Sequence, residues 1–137
     1  MRLSAHQAET VIDGAERKAR EMGLPVVVVV LDAGAHLKAL WRMDGAVLAS
    51  IHIAIRNAST AVLFQTSSEA VWDYCKPGAP APGLERTNGD LAPFGGGIPL
   101  KGPDGEDIGA LGVSGGAVSQ DVEVAHAGVS AFQAFNR

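Results

Sequence analysis

At 137 residues, with 47% apolar and 19% charged side chains, the chain has the make-up of one globular domain (residues 1–137) and not of a disordered segment. Its net charge of −4, without any run of Lys or Arg, argues against nucleic acid or an anionic membrane surface as a partner. One cysteine, Cys75, excludes an internal disulfide framework, and the longest apolar run, residues 24–31, falls far short of the roughly 20 residues that a membrane-spanning helix needs.

The first residues lack the basic segment and apolar stretch of a secretory leader, so the cytoplasm is the expected location. Aromatic residues make up only 5% of the chain, and small residues are plentiful. Little bulk is left to fill the core of a monomer, which points to a homo-oligomer.

Ala8, Val11, Ile12, Ala15, Ala19 and Met22 recur on one face and predict a helix over residues 4–22. Ser4 and Gln7 fit a capping box, and Gly23 followed by Pro25 ends the helix. Five consecutive valines within residues 25–32 predict a strand covered on both faces. Ala33-Gly34 turns the chain into a second strand over residues 36–43, which makes a hairpin. In it Leu37, Ala39, Trp41 and Met43 share one face, and His36, Lys38, Leu40 and Arg42 the other.

Ala49, Ala54, Ala58 and Ala61 run through a second helix over residues 48–64. Thr66 and Glu69 match another capping box, opening a short helix that carries Trp72, Tyr74 and Cys75. From residue 76 to 97, four prolines and six glycines predict a long irregular connection. Strands over 98–101 and 108–113 flank the turn Gly102-Pro103-Asp104-Gly105, a second hairpin. Ser119 opens the last helix, 119–135, with Val122, Ala125, Val129 and Phe132 on one face. Helices before, between and after two hairpins predict an α+β fold, an antiparallel sheet covered by helices.

Gly109, Gly112, Gly115 and Gly116 match neither the dinucleotide fingerprint nor a P-loop. Gly115 and Gly116 are either a tight strand-to-helix turn or one wall of a pocket. Asp121 and Glu123 put negative charge in the following helical turn, which disfavours an anion there. Gly95-Gly96-Gly97 is costly in backbone entropy and implies close approach, to a ligand or to a neighbouring subunit.

His6, His36, His52 and His126 have no metal-ligand spacing among themselves. His52 is the first candidate for a metal or haem ligand, with Arg56 one turn further along the same helix. Arg42 can grip a carboxylate as a fork or pair with Asp44. Cys75, beside Lys76, is either an activated nucleophile or an inert core thiol. No Ser-His-Asp set or carboxylate pair stands out by spacing.

Four blocks then coincide in order: VVLDAGAHLKALWRMDGA (29–46), ASIHIAIRNASTAVLF (49–64), FGGGIPL (94–100) and IGALGVSGGAVSQDVEVAHAG (108–128). Together they resemble the GlcG/HbpS family of small haem-associated proteins, which also includes the C-terminal domain of PduO-type proteins. The resemblance implies a five-stranded antiparallel sheet flanked by helices, profilin-like in layout, and assembly into dimers or larger oligomers. It implies haem as the cofactor for some members and accessory roles in catabolic gene clusters for others. The family's second helix usually reads S-I-D-I-A followed by a lysine; here His52 stands at the aspartate position and Asn57 at the lysine position.

The leading expectation is a haem-binding, small-ligand protein with His52 on the iron. Arg42, Arg56, Asn57, Gly95, Gly96, Gly97, Gly115 and Gly116 are its expected ligand contacts. The alternatives are an isomerase, hydratase or tautomerase acting on a small carboxylic acid, or a subunit with no chemistry of its own. In the enzyme reading Arg42 or Arg56 holds the carboxylate, His52 or Cys75 moves protons, and residues 95–97 offer backbone donors.

Overall fold

The computed structural model describes residues 2–136. Its elements are α1 (Ala5–Glu21), β1 (Val27–Asp32), β2 (Leu37–Arg42), α2 (Ala49–Phe64), α3 (Ser68–Cys75), a 3-10 turn (Leu84–Arg86), β3 (Gly97–Lys101), β4 (Asp107–Ser114) and α4 (Val118–Phe135). Among the described residues they form an α+β fold of four helices on an antiparallel sheet of four strands, in the order β2-β1-β4-β3.

The sheet therefore has four strands, not the five implied by the family resemblance. Those four are the two hairpins legible in the residues. The long stretch that remains, 76–96, contains Pro77, Pro80, Pro82 and Pro93, which cannot donate to a ladder, and it folds as turns with one 3-10 turn.

The valines explain the layering. Val28 and Val30 pack with Val11, Ala15, Leu111 and Phe132 beneath α1 and α4. Val27, Val29 and Leu31 pack with Ala54, Ala58, Ala61 and Val62 of α2. With helices on both faces, β1 needs apolar side chains at every position, so its sequence shows no alternation.

Helix starts agree with the sequence in one case of three. Ser4 N–H donates to Gln7 Oε1 at 2.9 Å and Gln7 N–H to Ser4 Oγ at 3.0 Å, so the first capping box forms. The Thr66–Glu69 box does not form, because α3 begins after Ser67 with no side-chain cap. Ser119 does not open α4 either; the N-cap is Ala117, whose N–H donates to Gln120 Oε1 at 2.9 Å. Among the described residues no helix is long and apolar enough to cross a membrane.

Candidate functional site

α2 carries two different faces. Ser50, Ala54, Asn57, Ala58 and Ala61 are buried against the sheet, while His52 and Arg56, one turn apart, are exposed. Leu48 and Leu63 stand exposed near the two ends of the helix, and Ile51 and Ile55 are half-buried against Val27, Val29, Leu31 and the α2 alanines. Among the described residues, the side chains of His52, Arg56 and Arg42 have no hydrogen-bond or ion-pair partner. The Arg42–Asp44 pair considered from the sequence is not made.

Arg42 sits on the edge strand in one row with Val27 and Ser114. Ser114 Oγ donates to Ser50 Oγ, 3.1 Å away in the first turn of α2. Two strand spacings separate Arg42 from Ser114, about 10 Å. Gly115 and Gly116 follow Ser114 directly, and Gly97 pairs with Gly112 two residues earlier on β4. The end of β2, the start of α2, the start of β3 and the 114–116 turn thus share one end of the sheet. Cys75 does not join them. Its buried thiol lies at the end of α3, 3.5 Å from the Val71 carbonyl, and burial pushes its pKa up, with the Glu85 charge adding to the rise. A raised pKa disfavours the thiolate that a nucleophile needs.

The three glycines form a packed junction. A Cβ on Gly95 would lie 2.4 Å from Val122 Cγ2 of α4, and on Gly96 2.5 Å from Asn57 Nδ2. On Gly97 it would lie 2.0 Å from the Asn57 carbonyl oxygen. Ser68 Oγ accepts the Gly97 N–H at 2.9 Å and donates to the Phe94 carbonyl at 2.5 Å, and the Gly96 carbonyl accepts the Val113 N–H at 3.0 Å. The Gly97 donor is therefore already used. Asn57 is fully buried; its Nδ2 donates to the Val113 carbonyl at 3.2 Å, and its Oδ1 has no partner among the described residues.

Ser50, Ser68 and Ser114 carry these contacts and are absent from the residues that the sequence singles out. Their only signal is a hydroxyl at a position whose neighbours at the same spacing are apolar or glycine. Asp32 has a plainer part. Its Oδ1 accepts the N–H groups of His36 at 3.0 Å and Gly34 at 2.9 Å, which closes the β1–β2 turn. The His36 N–H is foremost in holding its pKa below the ordinary value.

The 114–117 turn is closed by the chain's own carboxylate. Asp121 is buried, and its Oδ1 accepts the Gly116 N–H at 2.9 Å. Burial raises its pKa above 3.8, against the pull of the Gly116 and Gly115 N–H groups. A raised folded pKa means that this group favours the fold below 3.8 and that the contribution is lost as pH rises through the folded pKa. Asp121→Asn keeps an acceptor without the buried charge and should raise stability at neutral pH. Asp121→Ala should lose about 1 kcal/mol. Urea midpoints measured from pH 4 to 8 check both.

Among the described residues no group of three His, Cys, Asp or Glu could hold a bare metal ion. Haem asks for something else: an imidazole nitrogen, cations for its propionates and apolar surface for its ring. The outer face of α2 offers all three, in His52, in Arg56, and in Leu48, Ile51, Ile55 and Leu63, and Arg42 at the end of β2 is a further cation.

Residues 3–130 match the family described as haem degrading protein HbpS-like. The chain is 38% identical over 130 residues to the corrinoid adenosyltransferase PduO of Salmonella typhimurium, covering 94% of this chain and only 38% of that protein. It is 37% identical over 126 residues to an uncharacterized 15.0 kDa protein from the dhaT-dhaS intergenic region of Citrobacter freundii, covering 91% of this chain and 88% of that one. Among solved structures, the PduOC:haem complex superposes with a TM-score of 0.90 at 38% identity, covering 96% of this chain and 95% of the other.

Proposed function

Since the chain belongs to the HbpS-like family of haem-degrading proteins, we propose that it is a small-ligand-binding protein whose ligand is haem. His52 is the iron ligand in this reading, and Arg42 and Arg56 hold the propionates. One observation carries it: an exposed imidazole without a partner stands on a helix face that also bears an unpaired arginine and apolar side chains. When bound, haem supplies a redox-active iron that accepts an imidazole nitrogen. What this chain supplies is the nitrogen, the two cations and an apolar surface that excludes water from the ring. That a relative was solved with haem supports the same reading.

Haemin titration followed at the Soret band tests it. A saturable shift is expected, weakened more than about tenfold in His52→Ala. An unchanged spectrum would end the haem reading, and an unaltered titration in His52→Ala would end ligation by that residue.

A second reading, an isomerase, hydratase or tautomerase on a small carboxylic acid, draws on the two arginines that lack a carboxylate partner. With Cys75 buried, proton transfer in that reading rests on His52 alone. Self-association in either case is supported by Leu37 and Trp41, both exposed on the edge strand β2. A lone buried thiol suits a reducing compartment such as the cytoplasm. Because the chain spans 38% of PduO, the adenosyltransferase activity in that protein's name is not carried over, and an accessory role beside such an enzyme is the further alternative.

A further inference from the structure

A cleft apart from the α2 face lies between the start of α3, the glycine loop and the start of α4. Its volume is about 370 Å³, within the range that suits a small molecule, and its lining is Glu69, Trp72, Pro93, Phe94, Gly95 and Val118. Trp72, Phe94 and Val118 are 43%, 40% and 46% exposed, so the cleft presents two aromatic faces and an aliphatic one to solvent. Glu69 and Trp72 are three residues apart on α3, so carboxylate and indole project from the same side. Glu69 Oε2 would be 3.7 Å from a Cβ on Gly95, which places the carboxylate over the loop.

Two electrostatic features set the sign of the ligand. Glu69 is the only charged residue of the lining and, among the described residues, has no hydrogen-bond or ion-pair partner. The N-terminus of α4, at Val118, would by itself draw an anion, but the buried Asp121 carboxylate in its first turn already places a negative group there, at the Gly116 N–H. An anion in the cleft would meet the Glu69 carboxylate, with Asp121 adding a second acidic group at the helix end. A neutral apolar molecule would strip water from Glu69 and give it no partner in return.

We propose that this cleft binds an organic cation, with an ammonium head at Glu69 and an apolar body against Trp72 and Phe94. An ammonium is attracted both to a carboxylate and to an aromatic face, so the two kinds of lining residue serve one ligand.

Trp41→Phe leaves Trp72 as the only indole, and its fluorescence can be followed while benzylammonium is added. A saturable change is expected, about tenfold weaker in Glu69→Gln, which corresponds to about 1.4 kcal/mol. Benzoate is expected to give none. An equal response to benzyl alcohol, or an unaltered affinity in Glu69→Gln, overturns the proposal. So does a fluorescence change that follows protein concentration in place of ligand, since a second copy of the chain then covers the cleft. Haemin titration of Glu69→Gln is expected to match the parent protein, which separates this cleft from the α2 face; a weakened titration overturns it as a separate site.

Discussion

Gly112→Ala should destabilise the fold by about 3 kcal/mol or more, at or beyond the usual upper end of the cost of overpacking. Gly112 lies in β4, paired with Val29 on one side and Gly97 on the other. A Cβ there would be 2.1 Å from the Ala54 carbonyl oxygen, 2.7 Å from the Ala58 nitrogen and 3.0 Å from Ala58 Cβ. The first two are backbone atoms of α2, so no rotamer change relieves the clash. The helix would have to lift from the sheet, loosening Ala54, Ala58, Ala61 and Val62 from Val27 and Val29. With total stability of a domain at about 5–15 kcal/mol, such a loss is a large part of the whole.

Gly23→Ala is the matching control. Gly23 has φ +65° and nothing within 4 Å of a Cβ, so only left-handed strain is added, about 1 kcal/mol. Urea unfolding of the two variants should therefore differ by about 2 kcal/mol. Equal midpoints would mean that α2 does not press on β4 as closely as the structure has it.

The second large effect is expected from Asn57→Asp. The Asn57 amide donates to the Val113 carbonyl in a fully buried site, next to Gly96 and Gly97. A carboxylate there would turn the donor into an acceptor and bury an unpaired charge, at a cost of about 3–5 kcal/mol at neutral pH. A protonated carboxyl restores one donor and could bond Val113 as the amide does. The folded pKa of the new group is then raised, so its penalty is smallest below the unfolded value, near 4, and grows as pH rises. Comparing the unfolding free energies of Asn57→Asp and parent protein at pH 4 and pH 7 should show the gap shrink at the lower pH. A gap that is small and the same at both would mean that water reaches Asn57.

Local signals were enough for much of the fold. The repeat of Val11, Ala15 and Ala19 around α1, the run of valines in β1 and the Gly-Pro punctuation are each contained within a few residues, and the elements formed where those signals lie. The Ser4–Gln7 cap was equally local and was made. The Thr66–Glu69 cap was as good a match and was not, because Ser68 is drawn inward to Phe94 and Gly97, contacts 26 and 29 residues away. A cap is worth about 1 kcal/mol, so a buried hydrogen-bond clasp can outweigh it. The fifth strand came from the family layout and not from any residue pattern, and the prolines of 76–96 were already a reason against it.

For the candidate site, the sequence by itself placed His52 and Arg56 on one helix face and Arg42 at a strand end, since spacing along one element decides that. It also marked residues 95–97 as a place of close approach. Only the tertiary structure decided what approaches them: Val122, Asn57 and Ser68, from three different helices. It also decided that Cys75 is buried despite Lys76 beside it, and that Asp121 turns back to hold the Gly116 turn. The division has a physical cause. Backbone periodicity and turn chemistry act over a few residues and can be read in order. Burial is set by which elements meet, and the non-directional hydrophobic effect leaves that choice to the packing of the whole chain.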